Sequence, residues 1–230
     1  MKHLNSNVIC AIDIETTGKM PGFHELIELS IVPLQGFKPD KSILPLTLFI
    51  QPLKPYKTRS VLLRDRMTNA IETTSAAFIF EKWYEKLNLK AHKRILPLSF
   101  AWHRKMPFIM EWLTHDKGDP YYYDFFDPLI VRDLVVLLQY WNDIAFKISE
   151  HYPFTKQRLA FLAQKLGVPV VRPSTTLSRC LMMIEIYRKF TELKINIIDL
   201  PFNYPTPIDY SLPGLHPSNL PSEEDELDNL

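Results

Sequence analysis

The chain has 230 residues, of which 46% are hydrophobic and 23% are charged, and its formal net charge is +1. These values fit one compact domain with a sizeable core better than two. No apolar run reaches the roughly 18 residues that a membrane span requires, and the N-terminus lacks the apolar region of a secretory signal. We therefore expect a cytoplasmic protein with no membrane partner. Cys10 and Cys180 lie far apart in apolar surroundings, which favours two free thiols over a disulfide.

The charge is unevenly distributed along the chain. Residues 201–230 contain six acidic residues and no Lys or Arg, so that 27 basic and 20 acidic residues give residues 1–200 a net charge of +7. A basic body of this kind is compatible with a phosphate-backbone partner, for which the acidic tail could compete. A mixed solvated surface with a solubilising tail explains the same distribution. Both interpretations stay open at this point.

The predicted elements begin with strands and continue with helices. Periodicity and turn residues predict strands over 7–14, 26–34 and about 44–50, with a hairpin loop over 16–24. The pattern then changes to helical spacing, interrupted by one short apolar run. The sequence predicts helices over 60–66 and 74–89, a strand over 95–98, and helices over 102–113, 129–146, 156–166 and 175–193. Three successive strands followed by strands interleaved with helices predict an α/β fold.

The C-terminal region differs in composition from the rest. Six prolines punctuate residues 201–230, and proline lacks the backbone N–H that a helix interior requires. We interpret residues 1–200 as one domain and residues 201–230 as an extended or disordered tail. An ordered strap laid over the body is the alternative.

One short motif in the first strand indicates a metal site. The run Asp13-Ile14-Glu15-Thr16-Thr17-Gly18 ends in a tight turn, and alternation along a strand places both acids on one side. Two neighbouring carboxylates repel each other unless a cation lies between them, and Mg²⁺ or Mn²⁺ is the usual cation. A chance Asp-x-Glu in a strand that ends in a turn is the alternative.

The motif resembles the first motif of the DnaQ-like (DEDD) 3′ to 5′ exonucleases, which have a ribonuclease H-like fold. The resemblance implies a mixed sheet of three antiparallel strands followed by parallel strands, flanked by helices. It also implies phosphodiester hydrolysis at two divalent ions. It extends over roughly residues 7–192 and includes Val131-Arg132-Asp133-Leu134, which is similar to the family's Arg-Asp-Thr helix.

The second and third motifs of that family are degenerate in this chain. In the second, of the form His-Asn-x-x-Phe-Asp, Phe100 stands at the His, Ala101 at the Asn and Lys105 at the Asp. In the third, Ser174 stands at the general-base His and Arg179 at the metal-binding Asp. Two of the four expected acids have thus become bases. A serine hydroxyl stays protonated near neutral pH and cannot replace an imidazole as general base.

These substitutions predict an ion-paired remnant of a metal site. Asp13 and Glu15 would face Lys105 and Arg179, so we expect no metal cofactor. The first hypothesis is a pseudoenzyme, an inactive exonuclease homologue that binds nucleic acid or a protein. Its candidate nucleic-acid-binding residues are Thr16, Thr17, Trp102, His103, Lys105 and Arg179, and the aromatic run 121–126 offers either stacking surfaces or core packing.

The second hypothesis is an active 3′ to 5′ exonuclease that uses Mg²⁺ or Mn²⁺ at an unusual site anchored on Asp13 and Glu15. A third is a purely protein-binding role through the acidic tail. The choice between DNA and RNA, and the oligomeric state, stay open.

Overall fold

The computed structural model describes residues 7–54, 65, 67–90, 93–117, 122–171 and 174–193. The strands are β1 (Val8–Thr16), β2 (Leu26–Gln35), β3 (Lys38–Pro39), β4 (Leu46–Phe49), β5 (Ile95–Ser99) and β6 (Arg132–Asp133). The helices are α1 (Thr73–Glu85), α2 (Trp102–Lys117), α3 (Tyr122–Phe125), α4 (Leu134–Ser149), α5 (Leu159–Lys165) and α6 (Thr176–Glu192). Within these residues, no helix is both long and apolar enough to cross a membrane. The helix predicted over 60–66 falls largely outside the described residues, and the tail predicted over 201–230 falls wholly outside them.

The sheet is mixed, with β1 at its centre. Strand β1 pairs antiparallel with β2, and β2 pairs antiparallel with β4. On its other side β1 pairs parallel with β5, which pairs parallel with β6. The short β3 extends the β2 edge next to the end of that strand. The three antiparallel strands followed by parallel strands, predicted from the sequence, are confirmed.

Side-chain alternation along β1 divides the interior into two cores. Cys10, Ile12 and Ile14 face an aromatic core that α1 and α2 cover. Ile9 and Ala11 face a second core, formed with α4, α5 and α6. Asp13 continues the series of Ile9 and Ala11, so its carboxylate points toward the α6 side of the sheet. Both cysteines are buried free thiols, as the sequence predicted.

Two helices begin later in the structure than the sequence predicts. The helix predicted over 129–146 begins at Leu134, because Asp133 has an extended backbone and its carboxylate accepts the Val135 N–H at 2.9 Å. Residues 129–130 instead form a turn in which Asp127 accepts two backbone N–H groups. The capping acid sets the start of the helix, which apolar spacing alone does not reveal. Likewise, the helix predicted over 156–166 is the shorter α5.

Candidate functional site

Four charged side chains meet near the C-terminal end of β1. The Lys105 ammonium lies 2.5 Å from Oδ1 of Asp13, and Nε of Arg179 bonds the other carboxylate oxygen of Asp13. A second nitrogen of the Arg179 guanidinium lies 2.7 Å from Oε1 of Glu15. Two carboxylates and two bases leave the cluster with no net formal charge. The ion pairs expected from the sequence are therefore present.

The cluster is buried at one end and open at the other. The side chain of Asp13 is 5% exposed, those of Lys105 and Arg179 are 16% and 21% exposed, and that of Glu15 is 38% exposed. Burial by itself lowers the pKa of Arg179, but the carboxylates of Asp13 and Glu15 outweigh it and hold that pKa above its ordinary value. The guanidinium is therefore a permanent positive charge beside Asp13.

Helix α2 is fixed at its start so that Lys105 reaches Asp13. The carboxylate of Asp133 accepts the backbone N–H groups of Ala101 at 3.0 Å and of Trp102 at 2.8 Å. Lys105 follows one turn later, and its ammonium also donates to Oγ of the buried Ser99 at 3.2 Å. One carboxylate thus caps α4 and positions the start of α2, which makes Asp133 a positioning residue for Lys105.

Helix α6 contributes Arg179, which bonds the carboxylate oxygen of Asp13 that Lys105 does not bond. Its start has a reciprocal cap, in which the Thr175 N–H donates to Oγ of Ser178 and the Ser178 N–H donates to Oγ1 of Thr175. Arg179 lies in the first helical turn after Thr175, and its guanidinium also donates a hydrogen bond to the Ile14 carbonyl oxygen at 3.3 Å. Ser174, the residue aligned with the general base, is exposed and immediately precedes the cap.

One buried acid next to the cluster was not predicted from the sequence. Glu28 lies on β2 directly opposite Glu15, and Oγ1 of Thr176 donates to its carboxylate at 2.5 Å. The same hydroxyl lies 2.7 Å from Oγ of Ser30, which is opposite Asp13. The signal was available, because Glu28 and Ser30 are alternate polar residues in an otherwise apolar strand.

In the turn after the motif, the threonine hydroxyls form hydrogen bonds with nearby backbone groups. The Thr16 hydroxyl donates to the Gly18 carbonyl at 2.5 Å, and the Thr17 hydroxyl accepts the Glu25 N–H at 2.9 Å. A Cβ at Gly18 would lie 2.0 Å from the His24 ring, so a side chain there would displace the imidazole. These threonines, predicted as nucleic-acid contacts, hold the turn together.

Burial corrects the prediction for Trp102 and bears on the aromatic run 121–126. Trp102 is 4% exposed and packs in the aromatic core at 6.3 Å from the Phe126 ring, so it offers no stacking face to a base. In the run 121–126, Tyr122 and Phe125 are also buried, which supports the core-packing interpretation for these described residues. His103 is exposed, and with Met106 and Tyr187 it lines an open groove beside α2.

The arrangement does not fit a divalent metal. Among the described residues, no group of three or more His, Cys, Asp or Glu side chains could hold a metal ion. Asp13 and Glu15 already bond to Lys105 and Arg179, and a bound ion would stand beside both bases. Each repulsion between unit charges at 4 Å costs about 4 kcal/mol at an effective dielectric constant near 20, and a divalent ion doubles it. The residues of a Mg²⁺ or Mn²⁺ centre are therefore incomplete.

The mixed α/β fold, with three antiparallel strands followed by parallel strands, is also found in known structures. The fold is similar to that of Exonuclease I, with a TM-score of 0.60, 12% identity and coverage of 81% of this chain and 43% of that chain. It is also similar to the nuclease domain of 3′hExo, a DEDDh family member bound to rAMP, with a TM-score of 0.57 and 18% identity. That likeness covers 83% of this chain and 96% of the other.

A third similar structure is Exonuclease I of E. coli in complex with a dT13 oligonucleotide. Its TM-score is 0.59 and its identity is 11%, over 81% of this chain and 41% of that chain. The chain thus spans less than half the length of the Exonuclease I chains. At these identities the likenesses establish the fold alone. No family model matches the sequence, and no curated protein is significantly similar to it.

Proposed function

We propose that this chain is a pseudoenzyme, a DnaQ-like protein that has lost phosphodiester hydrolysis and binds nucleic acid through its exonuclease fold. The observation that carries the proposal is the pairing of both bases with Asp13, one of the two acids left from the metal site. Lys105 and Arg179 neutralise the acids that a metal would otherwise bridge. The formal charges of the site therefore balance without a metal ion.

The two residues considered as general bases also support the proposal. The residue aligned with the general-base histidine is Ser174, whose hydroxyl remains protonated near neutral pH. His103 lies two residues before Lys105 on α2, but its exposed ring lines a groove rather than the ion-paired cluster. Neither side chain supplies what an in-line attack on phosphorus requires.

The charge of the chain and its fold both support nucleic acid as the class of ligand. Residues 1–200 carry a net charge of +7, and a positive surface attracts a phosphate backbone at low salt. Three proteins with this fold support the same ligand class, since one is bound to rAMP, one is complexed with dT13, and one recognises the 3′ end of a histone mRNA stem-loop. Their ligands suggest the class of partner and not its sequence.

The test measures metal binding and cleavage on one sample. Mn²⁺ is titrated into the full chain by calorimetry, and 3′-labelled single-stranded DNA and RNA are then added with excess Mn²⁺. We expect no binding heat, no shortening of either strand, and retention of the strand at low salt. The matched control is Asp13→Asn with Glu15→Gln, which removes the only two acids available to a metal in this cluster.

Three results would contradict the proposal. Mn²⁺ heat and strand shortening that both disappear in the Asn/Gln control would identify an active exonuclease anchored on Asp13 and Glu15. Cleavage that persists in the control would place activity elsewhere. Absence of oligonucleotide retention at low salt would replace nucleic acid by a protein partner.

A further inference from the structure

A long segment of the chain contains bases but no acids. Residues 151–184 include no Asp or Glu, although acids make up 26 of the 230 residues overall. The segment carries Lys156, Arg158, Lys165, Arg172 and Arg179. Arg179 is neutralised by Asp13 and Glu15, and Arg172 lies outside the described residues. Three cations of the segment therefore remain to be accounted for in the described structure.

Two of these cations lie in one open surface groove, and the third is beside it. Lys156 and Arg158 line the groove together with Phe161 and the segment 167–170, and Lys165 contacts the same Phe161 ring. The ammonium of Lys156 lies 5.7 Å from the centre of the Phe161 ring, and that of Lys165 lies 5.8 Å from the same centre. Both distances are within the range of a cation–π interaction, so the Phe161 ring contacts the ammonium of Lys156 in the groove and that of Lys165 next to it. We call this groove, together with Lys165, the α5 groove.

The three cations of the α5 groove have no ion-pair partner among the described residues. All three cationic side chains are exposed, and none forms an ion pair with a described Asp or Glu. Two ammonium groups that share a ring repel each other unless an anion lies nearby. A chain of phosphates, spaced along a backbone, supplies several negative charges to such a surface without base-specific contacts.

We propose that the α5 groove binds the phosphodiester backbone of a nucleic acid. The inference rests on the proposed nucleic-acid-binding function and assigns that function to a particular surface. The groove shares no residue with the ion-paired cluster of β1, whose two bases are already engaged. Binding therefore does not require the former catalytic cleft to open.

The test compares two variants of equal net charge. The groove variant combines Lys156→Gln, Arg158→Gln and Lys165→Gln. The control combines Lys82→Gln, Lys86→Gln and Lys90→Gln, three exposed lysines in and after α1, which packs on the other core. Affinity for a fluorescent dT20 or rU20 strand is measured by anisotropy between 50 and 200 mM KCl for both variants and the unaltered chain.

The readout is the dependence of affinity on salt. Affinity falls as salt rises, and each phosphate contact to a single strand contributes roughly 0.7 to the steepness of log affinity against log salt concentration. Loss of three contacts should therefore reduce this steepness by about 2. The control variant should keep the slope of the unaltered chain.

Several results would overturn the assignment. An unchanged slope in the groove variant, or the same decrease in both variants, would show that this groove does not contact the backbone, while the binding function itself would stand. Absence of strand binding by the unaltered chain would remove both proposals together. Oligoglutamate binding that depends on the three cations, without strand binding, would make the groove a site for an acidic protein.

Discussion

The ion-paired cluster and the α5 groove use the same kinds of side chain in opposite surroundings. In the cluster, Lys105 and Arg179 each bond directly to Asp13, and most of their surface is removed from water. In the groove, Lys156 and Lys165 are exposed and lie over an aromatic ring with no described acid beside them. A base that is buried and ion-paired contributes to the charge balance of the fold, whereas an exposed base without an ion-pair partner is available to a ligand.

The cluster also shows why bases and neutral residues would act differently at positions 105 and 179. Neutral residues there would leave the two carboxylates of Asp13 and Glu15 in repulsion. Two bases remove this repulsion without an ion. The charge balance of the cluster is thus maintained by protein side chains, and stability should not depend on metal.

The largest effect should come from restoring the acids. Lys105→Asp with Arg179→Asp would place two further carboxylates beside Asp13 and Glu15, so the variant should lose at least 3 to 5 kcal/mol of stability in EDTA. Mn²⁺ at a hundred times its dissociation constant should then return about 2.7 kcal/mol. Thermal unfolding with EDTA and with Mn²⁺ measures both effects, and the unaltered chain should show no Mn²⁺ shift.

A variant without charge at the two positions separates ligation from the loss of bases. Lys105→Met with Arg179→Met removes both bases and adds no ligand, so its Mn²⁺ shift should be much smaller than that of the Asp variant. Equal shifts would mean that the two positions do not face the metal site, and the alignment of both motifs would then be wrong.

A smaller effect should distinguish the two acids. Asp13→Ala leaves Lys105 and Arg179 without their shared carboxylate in a mostly buried site, which should cost about 3 to 5 kcal/mol. Glu15→Ala should cost less than about 1 kcal/mol, because Glu15 is 38% exposed and Arg179 keeps its bond to Asp13. Urea unfolding of both variants measures the difference. Equal losses would contradict the role of Asp13 as the centre of the cluster.

Only part of the cluster was predictable from local pattern. Strand alternation placed Asp13 and Glu15 on one face, whereas Lys105 and Arg179 were identified from the resemblance of their segments to the second and third motifs of the family. The mixed sheet followed from the order of elements in the same way. The alternation of β2 marks Glu28 as a polar residue in an apolar strand, but its partner Thr176, almost 150 residues away, is connected to it by no periodic pattern.

The starts of helices were the least predictable feature. Asp133 determines where both α2 and α4 begin, through bonds to Ala101, Trp102 and Val135. Two of these bonds join segments that are more than 30 residues apart in the chain. The prediction from apolar spacing started α4 at residue 129, because such spacing indicates which face of a helix is buried but not where the helix is capped. Burial of Trp102 is likewise a consequence of tertiary packing.

The smallest predicted effect concerns the residue that precedes α2. Ala101 has φ of +58°, a left-handed conformation that costs a residue with a Cβ roughly 1 to 2 kcal/mol. Asparagine, which the resembled motif has at this position, adopts this conformation several times more readily than most residues. Ala101→Asn should therefore raise stability by about 0.5 kcal/mol, and Ala101→Val should lower it by more than about 1 kcal/mol, because a β-branched side chain tolerates this backbone least.

The α5 helix supplies the matched control for Ala101. Ala101→Gly should be neutral or slightly stabilising, because relief of the left-handed strain offsets the added entropy of the unfolded chain. Ala160→Gly, at an exposed helical position beside the α5 groove, should instead cost about 0.5 to 1 kcal/mol. Urea unfolding of the two glycine variants compares them directly. If both substitutions cost the same, the backbone at Ala101 is not strained, and the start of α2 would be held by the Asp133 bonds alone.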